Sequence, residues 1–188
     1  MPDGRYYAGA MAAWDSTERA AMVALLRCTP TEKGQRELVQ RITEGSSVLA
    51  LLHERLGPSN LFGDPVGEAV SKAAQAIEAW EQEGIAVLTM GDEGYPHRLA
   101  DVFDRPPLLF ARGECLPSDQ GVAVVGSRSV SEQGRRLASE LAQRLVDREL
   151  TVVSGLAEGV DTAAHRAAIR AGDVPWLSSE QASRARIQ

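Results

Sequence analysis

Residues 121–172, GVAVVGSRSVSEQGRRLASELAQRLVDRELTVVSGLAEGVDTAAHRAAIRAG, decide how the rest of the chain is read. Val122 to Val125 is a short apolar run closed by Gly126, and Thr151 to Val153 is a β-branched one closed by Ser154 and Gly155; both predict strands. Between them Leu137, Leu141 and Leu145 recur at every fourth position, with Ala138 and Ala142 beside them, and predict one apolar face of a helix. Strands joined by such a helix lie parallel and adjacent with a right-handed crossover. Both glycine turns then leave the sheet at one edge, where open α/β sheets bind ligands.

The residues at that edge suit an anion. Gly126 is followed by Ser127, Arg128, Ser129 and Ser131, then by Gly134, Arg135 and Arg136 as the helix begins. Free N–H groups at a helix start, hydroxyls and a guanidinium together form a phosphate cradle. The second turn carries Ser154, Gly155 and Gly159; Asp161 is placed to cap a helix starting at Thr162, with His165 in its first turn. Arg128 is the first long donor after the strand-ending glycine, and a surface ion pair with Glu132 or Asp161 is its alternative. For Asp161 a helix cap, and for His165 a structural or pocket-lining hydrogen bond, weigh more than catalysis, since no nucleophile or metal set accompanies them. Arg135 and Arg136 read equally well as phosphate contacts or as solvated cations.

Upstream, Ser16, Thr31 and Ser46 or Ser47 can each cap a short amphipathic helix, the first running to Leu26 and the last ending before Gly57. The glycine, proline and serine of 57–64 read as a linker, and residues 1–64 therefore as an N-terminal helical module. Residues 65–188 form the second expected domain. Pro65 opens a longer helix with Val66, Ala69, Val70, Ala73, Ile77 and Trp80 on one face. Ile85 to Thr89 and Leu108 to Ala111 predict strands that extend the sheet begun at 122, with Leu99, Val102 and Phe103 facing inward between them.

Composition is that of a globular protein, 44% hydrophobic and 24% charged over 188 residues. The net charge of −6 argues against a broad basic nucleic-acid surface. It is unevenly placed: residues 1–118 carry 11 Lys and Arg against 17 Asp and Glu, whereas residues 119–188 carry 9 against 9, every cation there an arginine. Cys28 and Cys115 have no partner spacing for zinc or a disulfide framework, so no metal is expected. No apolar run spans a bilayer and the first residues lack a signal-peptide core, which places the protein in the cytoplasm without a membrane partner.

VAVVGSR at 122–128, the glycine at 134 and VVSGLAEGVDTAAH at 152–165 resemble the core of the DNA-processing protein A family (DprA, also called Smf). GIAVLTMGDEGYPHRLADVFDRPPLLFARG at 84–113 resembles the segment before that core, including its D..YP..L and PP.L..RG elements. The resemblance covers roughly residues 16–172. It implies an α/β fold, an extended Rossmann-like and mostly parallel sheet preceded by a small helical module. It also implies a non-enzymatic protein without a cofactor that binds single-stranded DNA in natural transformation and hands it to the RecA recombinase. The matching GSR arginine, Arg128, is then a DNA phosphate contact.

After Gly172 the resemblance stops, and the sheet is expected to be truncated, with a polar tail and an exposed edge near Val152. The family's dimer contacts lie mostly beyond this point, which leaves a homodimer open. The alternatives are a nucleotide-ligand-binding Rossmann protein, although neither GxGxxG nor GxxxxGK[ST] is present, and a truncated remnant that serves only as an interaction protein.

Overall fold

The computed structural model describes residues 14–61, 63–113, 118, 120–173 and 176–177. The first of its two compact units is built around α1 (Ser16–Arg27), in which every residue from Ala20 to Leu26 is buried. A helix apolar on all sides is enclosed rather than laid on a surface. Here α3 (Val48–Leu56) and α4 (Pro65–Gln82) pack on it, and α2 (Glu32–Thr43) adds Leu38, Val39 and Ile42 to the same core. Side-chain caps set the helix starts. Asp15, one residue before the expected Ser16, accepts from the Glu18 N–H at 2.8 Å. Thr31 and Ser47 cap the next two helices, and Asp64 caps the fourth ahead of Pro65.

Two short strands complete this unit. β1 (Ala86–Thr89) and β2 (Leu108–Ala111) pair antiparallel, with the four-residue α5 (His97–Ala100) between them. Val87 and Leu108 are buried in the helical core, and the Phe110 ring meets Trp80 of α4 edge-on at 4.8 Å. Two expectations are thereby corrected. This pair does not extend the parallel sheet but forms a sheet of its own. The chain divides between Ser118 and Asp119 rather than after residue 64, because α4, β1 and β2 fill the core that α1 to α3 cannot close alone.

The D..YP segment holds the β1–β2 connection. The Asp92 carboxylate accepts from the Thr89 N–H at 2.7 Å and from its hydroxyl at 2.9 Å, and the Tyr95 hydroxyl donates to the Pro106 carbonyl at 2.6 Å. Val102 and Phe103, expected inward, are exposed, because α5 ends at Ala100 and the chain beyond it follows the surface.

In the second unit β3 (Gly121–Ala123), β4 (Thr151–Ser154) and β5 (Trp176–Leu177) form a parallel sheet in that order. The helices α6 (Glu132–Val146) and α7 (Val160–Arg170) pack on each other and on β4. The strands at 122 and 151 are thus parallel neighbours, in register Val122 to Val152. The expected bare edge is not present at β4: Val153 and Ser154 pair with Trp176 and Leu177 of β5, and Val152 is fully buried; the expected polar tail lies outside the described residues.

The inward face of α6 also differs from the expected leucine face. Ala138 and Ala142 are buried, with Leu145 and Val146 partly so, whereas Leu137 and Leu141 are 58% and 49% exposed. The cause is α7, whose buried Ala164, Ala167 and Ala168 let the two helices approach closely. A tight helix pair needs small residues at its contact, and the bulkier leucine ridge is turned to solvent.

Candidate nucleic-acid interface

At the C-terminal ends of β3 and β4 the chain makes two turns, Gly126–Ser131 and Gly155–Gly159, and these are tied to one another. Asp161 is not the cap of α7. That helix begins at Val160, two residues before the expected Thr162, after Gly159 and without a side-chain cap. Asp161 lies in its first turn, buried at 5% exposure, and accepts the Gly126 N–H through Oδ1 at 3.3 Å and the Gly155 N–H through Oδ2 at 3.2 Å. The Val160 N–H adds a bond to the Ser127 carbonyl at 3.2 Å.

Glycines make the approach of the turns possible. Gly159 has φ 92°, and a Cβ there would fall 2.2 Å from the Ser127 carbonyl oxygen and 2.6 Å from that of Arg128. A Cβ on Gly126 would strike the Val160 side chain at 2.6 Å. Close packing within the protein therefore already accounts for both residues. The second turn also holds Leu156 at φ 56°, half exposed, a conformation costly for a bulky side chain and one with no sign in the sequence.

The hydroxyls are largely engaged. Ser127 Oγ donates to the Ser129 carbonyl at 2.9 Å and accepts from the Ser129 N–H at 3.1 Å, which folds the first turn. Ser131 caps α6 by accepting from the Gly134 N–H at 3.1 Å. Gly134 is small because a Cβ there would meet Val130 at 2.6 Å. Ser154 and His165 lie beneath the turns rather than on them, 2% and 3% exposed. His165 sits in the second turn of α7 rather than the first. Among the described residues, Ser154 Oγ and His165 Nε2 have no hydrogen-bond partner. Sealed from solvent, these atoms reach no substrate, and the nearby carboxylate is committed to two amides.

Among the described residues, the expected site residues with exposed side chains that have neither a hydrogen bond nor an ion pair are Arg128, Ser129, Arg135 and Arg136. Among the described residues no ion pair joins Arg128 to Glu132 or Asp161, the surface pairing that was its alternative. Arg135 and Arg136 line an open cleft of about 510 Å³ along α6 with Glu132, Ser139 and Glu140. Of the cysteines, Cys28 is a free thiol, and Cys115 lies outside the described residues. The described residues contain no cluster able to hold a metal ion, and none of their helices is long and apolar enough to cross a membrane.

Residues 86–174, which include both turns, match the DNA recombination-mediator protein A family. Over this segment, a little under half of its length, the chain is similar to the DprA/Smf proteins. It is similar to the DNA processing protein DprA of Streptococcus pneumoniae, 48% identical over 82 residues that cover 43% of this chain and 29% of that protein. It is also similar to DprA of Bacillus subtilis, at 29% over 102 residues covering 53% of this chain and 34% of the relative. Protein Smf of Escherichia coli matches at 38% over 106 residues, 55% of this chain and 28% of the relative. The matches thus span about a third or less of these relatives. The X-ray structure of S. pneumoniae DprA aligns with a TM-score of 0.55 and 28% identity over 82% of this chain and 55% of that one. The mixed α/β architecture with a parallel sheet is therefore similar to that of the S. pneumoniae protein.

Within this family setting the expected site residues separate into layers. Gly126 to Ser129 meet Gly155 and Gly159 at the sheet edge, Asp161 lies between the turns, and Ser154 and His165 lie below. Asp173 was not anticipated: its Oδ2 accepts from the Val152 N–H at 3.2 Å and secures the chain entering β4. A lone aspartate after a helix-ending glycine gave no sequence signal for that contact.

Proposed function

We propose that this chain binds single-stranded DNA as a DNA-recombination mediator, with Arg128 as its main phosphate contact. The observation that carries the proposal is an exposed guanidinium, free of ion pairs among the described residues, on a turn whose backbone is fixed from beneath by Asp161. Arginine offers planar, bidentate recognition of a phosphate. A backbone held in place limits the ordering that binding must supply. Arg135 and Arg136, along α6, continue the track of positive charge. In the same reading the bound strand is passed to a RecA-type recombinase in the cytoplasm, a binding role rather than a catalytic one.

The clamp weighs against the nucleotide-binding alternative. A nucleotide phosphate at the sheet edge would need the amides that close each strand. Those of Gly126 and Gly155 already donate to a carboxylate. Contact with DNA through side chains above the turns needs neither.

Filter binding of single-stranded oligonucleotides across a salt series tests the reading. Arg128→Ala should weaken binding by about 1–3 kcal/mol, the range for a hydrogen bond to a charged group. The loss should be alike for unrelated sequences, and the salt slope should fall by about 0.7, one phosphate of a single strand. Arg128→Lys should lie between the two. Equal affinities and slopes for all three proteins would remove the DNA site from this turn, and absence of binding by the wild type would refute the single-strand reading.

A further inference from the structure

We propose that Asp161 is a positioning residue that makes the two turns one rigid unit, so that the backbone bearing Arg128 is held by the turn after β4. As far as DNA is concerned, this rests on the reading above. The carboxylate bridges amides that close adjacent parallel strands, 35 residues apart in one case from the aspartate itself and 6 in the other. The carboxylate itself is buried, although the two glycines that donate to it are exposed, so water competes for these bonds less than it would at an open surface. Gly159 seats against the Ser127 and Arg128 carbonyls on the same side, and the Val160 N–H bonds the former. The Arg128 side chain is free, but its backbone is not.

Asp161→Asn is the informative substitution, because charge and position push the result in opposite directions. It removes a negative charge close to a polyanion, and Coulomb's law alone then gives tighter DNA binding. It also leaves one acceptor oxygen where two are used, and sets an NH2 group against a backbone N–H. If Asp161 acts by positioning, binding weakens instead, by about tenfold, the loss of roughly one charge-assisted hydrogen bond. The salt slope should fall with it, as Arg128 leaves its phosphate. A role in stability alone would lower the fraction of active protein and leave affinity and slope unchanged. Ala168→Gly in α7 supplies the control, weakening the helix without touching either turn.

Both variants of the full chain are to be compared with wild type by DNA titration and by amide hydrogen exchange. The proposal expects faster exchange at Gly126, Gly155 or both in Asp161→Asn, with the tenfold loss and lower slope, and wild-type affinity in Ala168→Gly. Unchanged exchange at both glycines overturns it, as does faster exchange with affinity equal to or tighter than wild type. An equal loss of affinity in Ala168→Gly overturns it too. If the wild type fails to bind, the single-strand reading falls by itself, and exchange at Gly126 and Gly155 alone decides whether the clamp holds the turns.

Discussion

Replacement of Gly159 by alanine probes the close approach of the turns, and Gly172→Ala supplies a matched reference. The two glycines have nearly the same φ, 92° and 93°. A positive φ costs an L-residue about 1–2 kcal/mol or more at either position, and at Gly159 the ψ of −122° lies outside the left-handed helical well, which adds to the strain there. Their surroundings differ: among the described residues no atom lies within 4 Å of a Cβ on Gly172, whereas on Gly159 it overlaps the Ser127 and Arg128 carbonyl oxygens at 2.2 and 2.6 Å. Backbone cannot rotate away as a side-chain end can. The Ser127–Arg128 peptide must shift, which breaks the Val160 N–H bond to Ser127 at 3.2 Å and forfeits about 1 kcal/mol more. Gly172→Ala should therefore cost about 1–2 kcal/mol, and Gly159→Ala about 2–4 kcal/mol once overpacking is added. Because the chain has two units, a global melt can mix their transitions. Hydrogen exchange at the β4 amides reads the second unit directly, with the β1 amides as the internal reference. Equal destabilisation by the two substitutions would refute the close-approach account of Gly159.

Two other predictions concern the first unit. Tyr95 is buried, and its phenol pKa is pushed up by that burial; Tyr95→Phe strands the Pro106 carbonyl and should cost about 1–3 kcal/mol in urea unfolding, whereas a loss below about 0.5 kcal/mol would show that the bond is dispensable. The Asp64 carboxyl is held below its ordinary value, first by the Gly67 N–H and then by the Ser59 hydroxyl. A depressed carboxyl pKa contributes stability that is complete above the unfolded value of about 3.9 and is lost as pH falls through the lower folded value. Thermal melts of Asp64→Asn should accordingly lie below wild type at pH 7 and converge with it below about pH 4; a constant gap across that range would sink the assignment.

The parallel pairing of β3 with β4, and the turns at Gly126 and Gly155, were legible because apolar runs and the glycines that end them are local signals. So were the helices of the first unit, whose caps at Thr31 and Ser47 sit next to the turns they close. What sequence could not supply was the identity of partners. Leu137 and Leu141 outrank Ala138 and Ala142 in hydrophobicity, but the alanines face inward because α7 demands a close approach that a single helix cannot announce. Val87 and Leu108 carry the same pattern whether their sheet is shared or separate, so they read as part of the parallel sheet. The role of Asp161 was hidden for a related reason: an aspartate near a helix start suggests a local cap, while its observed partners close strands on either side of it.

The span from Gly126 to Asp161 has a consequence for the order of folding. Contacts close in sequence form early, and those that shut a long loop come at a greater entropic cost. The bond from Gly126 to Asp161 cannot close until β3 and β4 have paired and the start of α7 has docked, so the two turns are among the last features of their unit to assemble. A partly folded chain can hold α6, and even the two strands, without presenting Arg128 on a fixed backbone. An Arg128 held on a fixed backbone is thus a late product, reserved for chains that have finished folding.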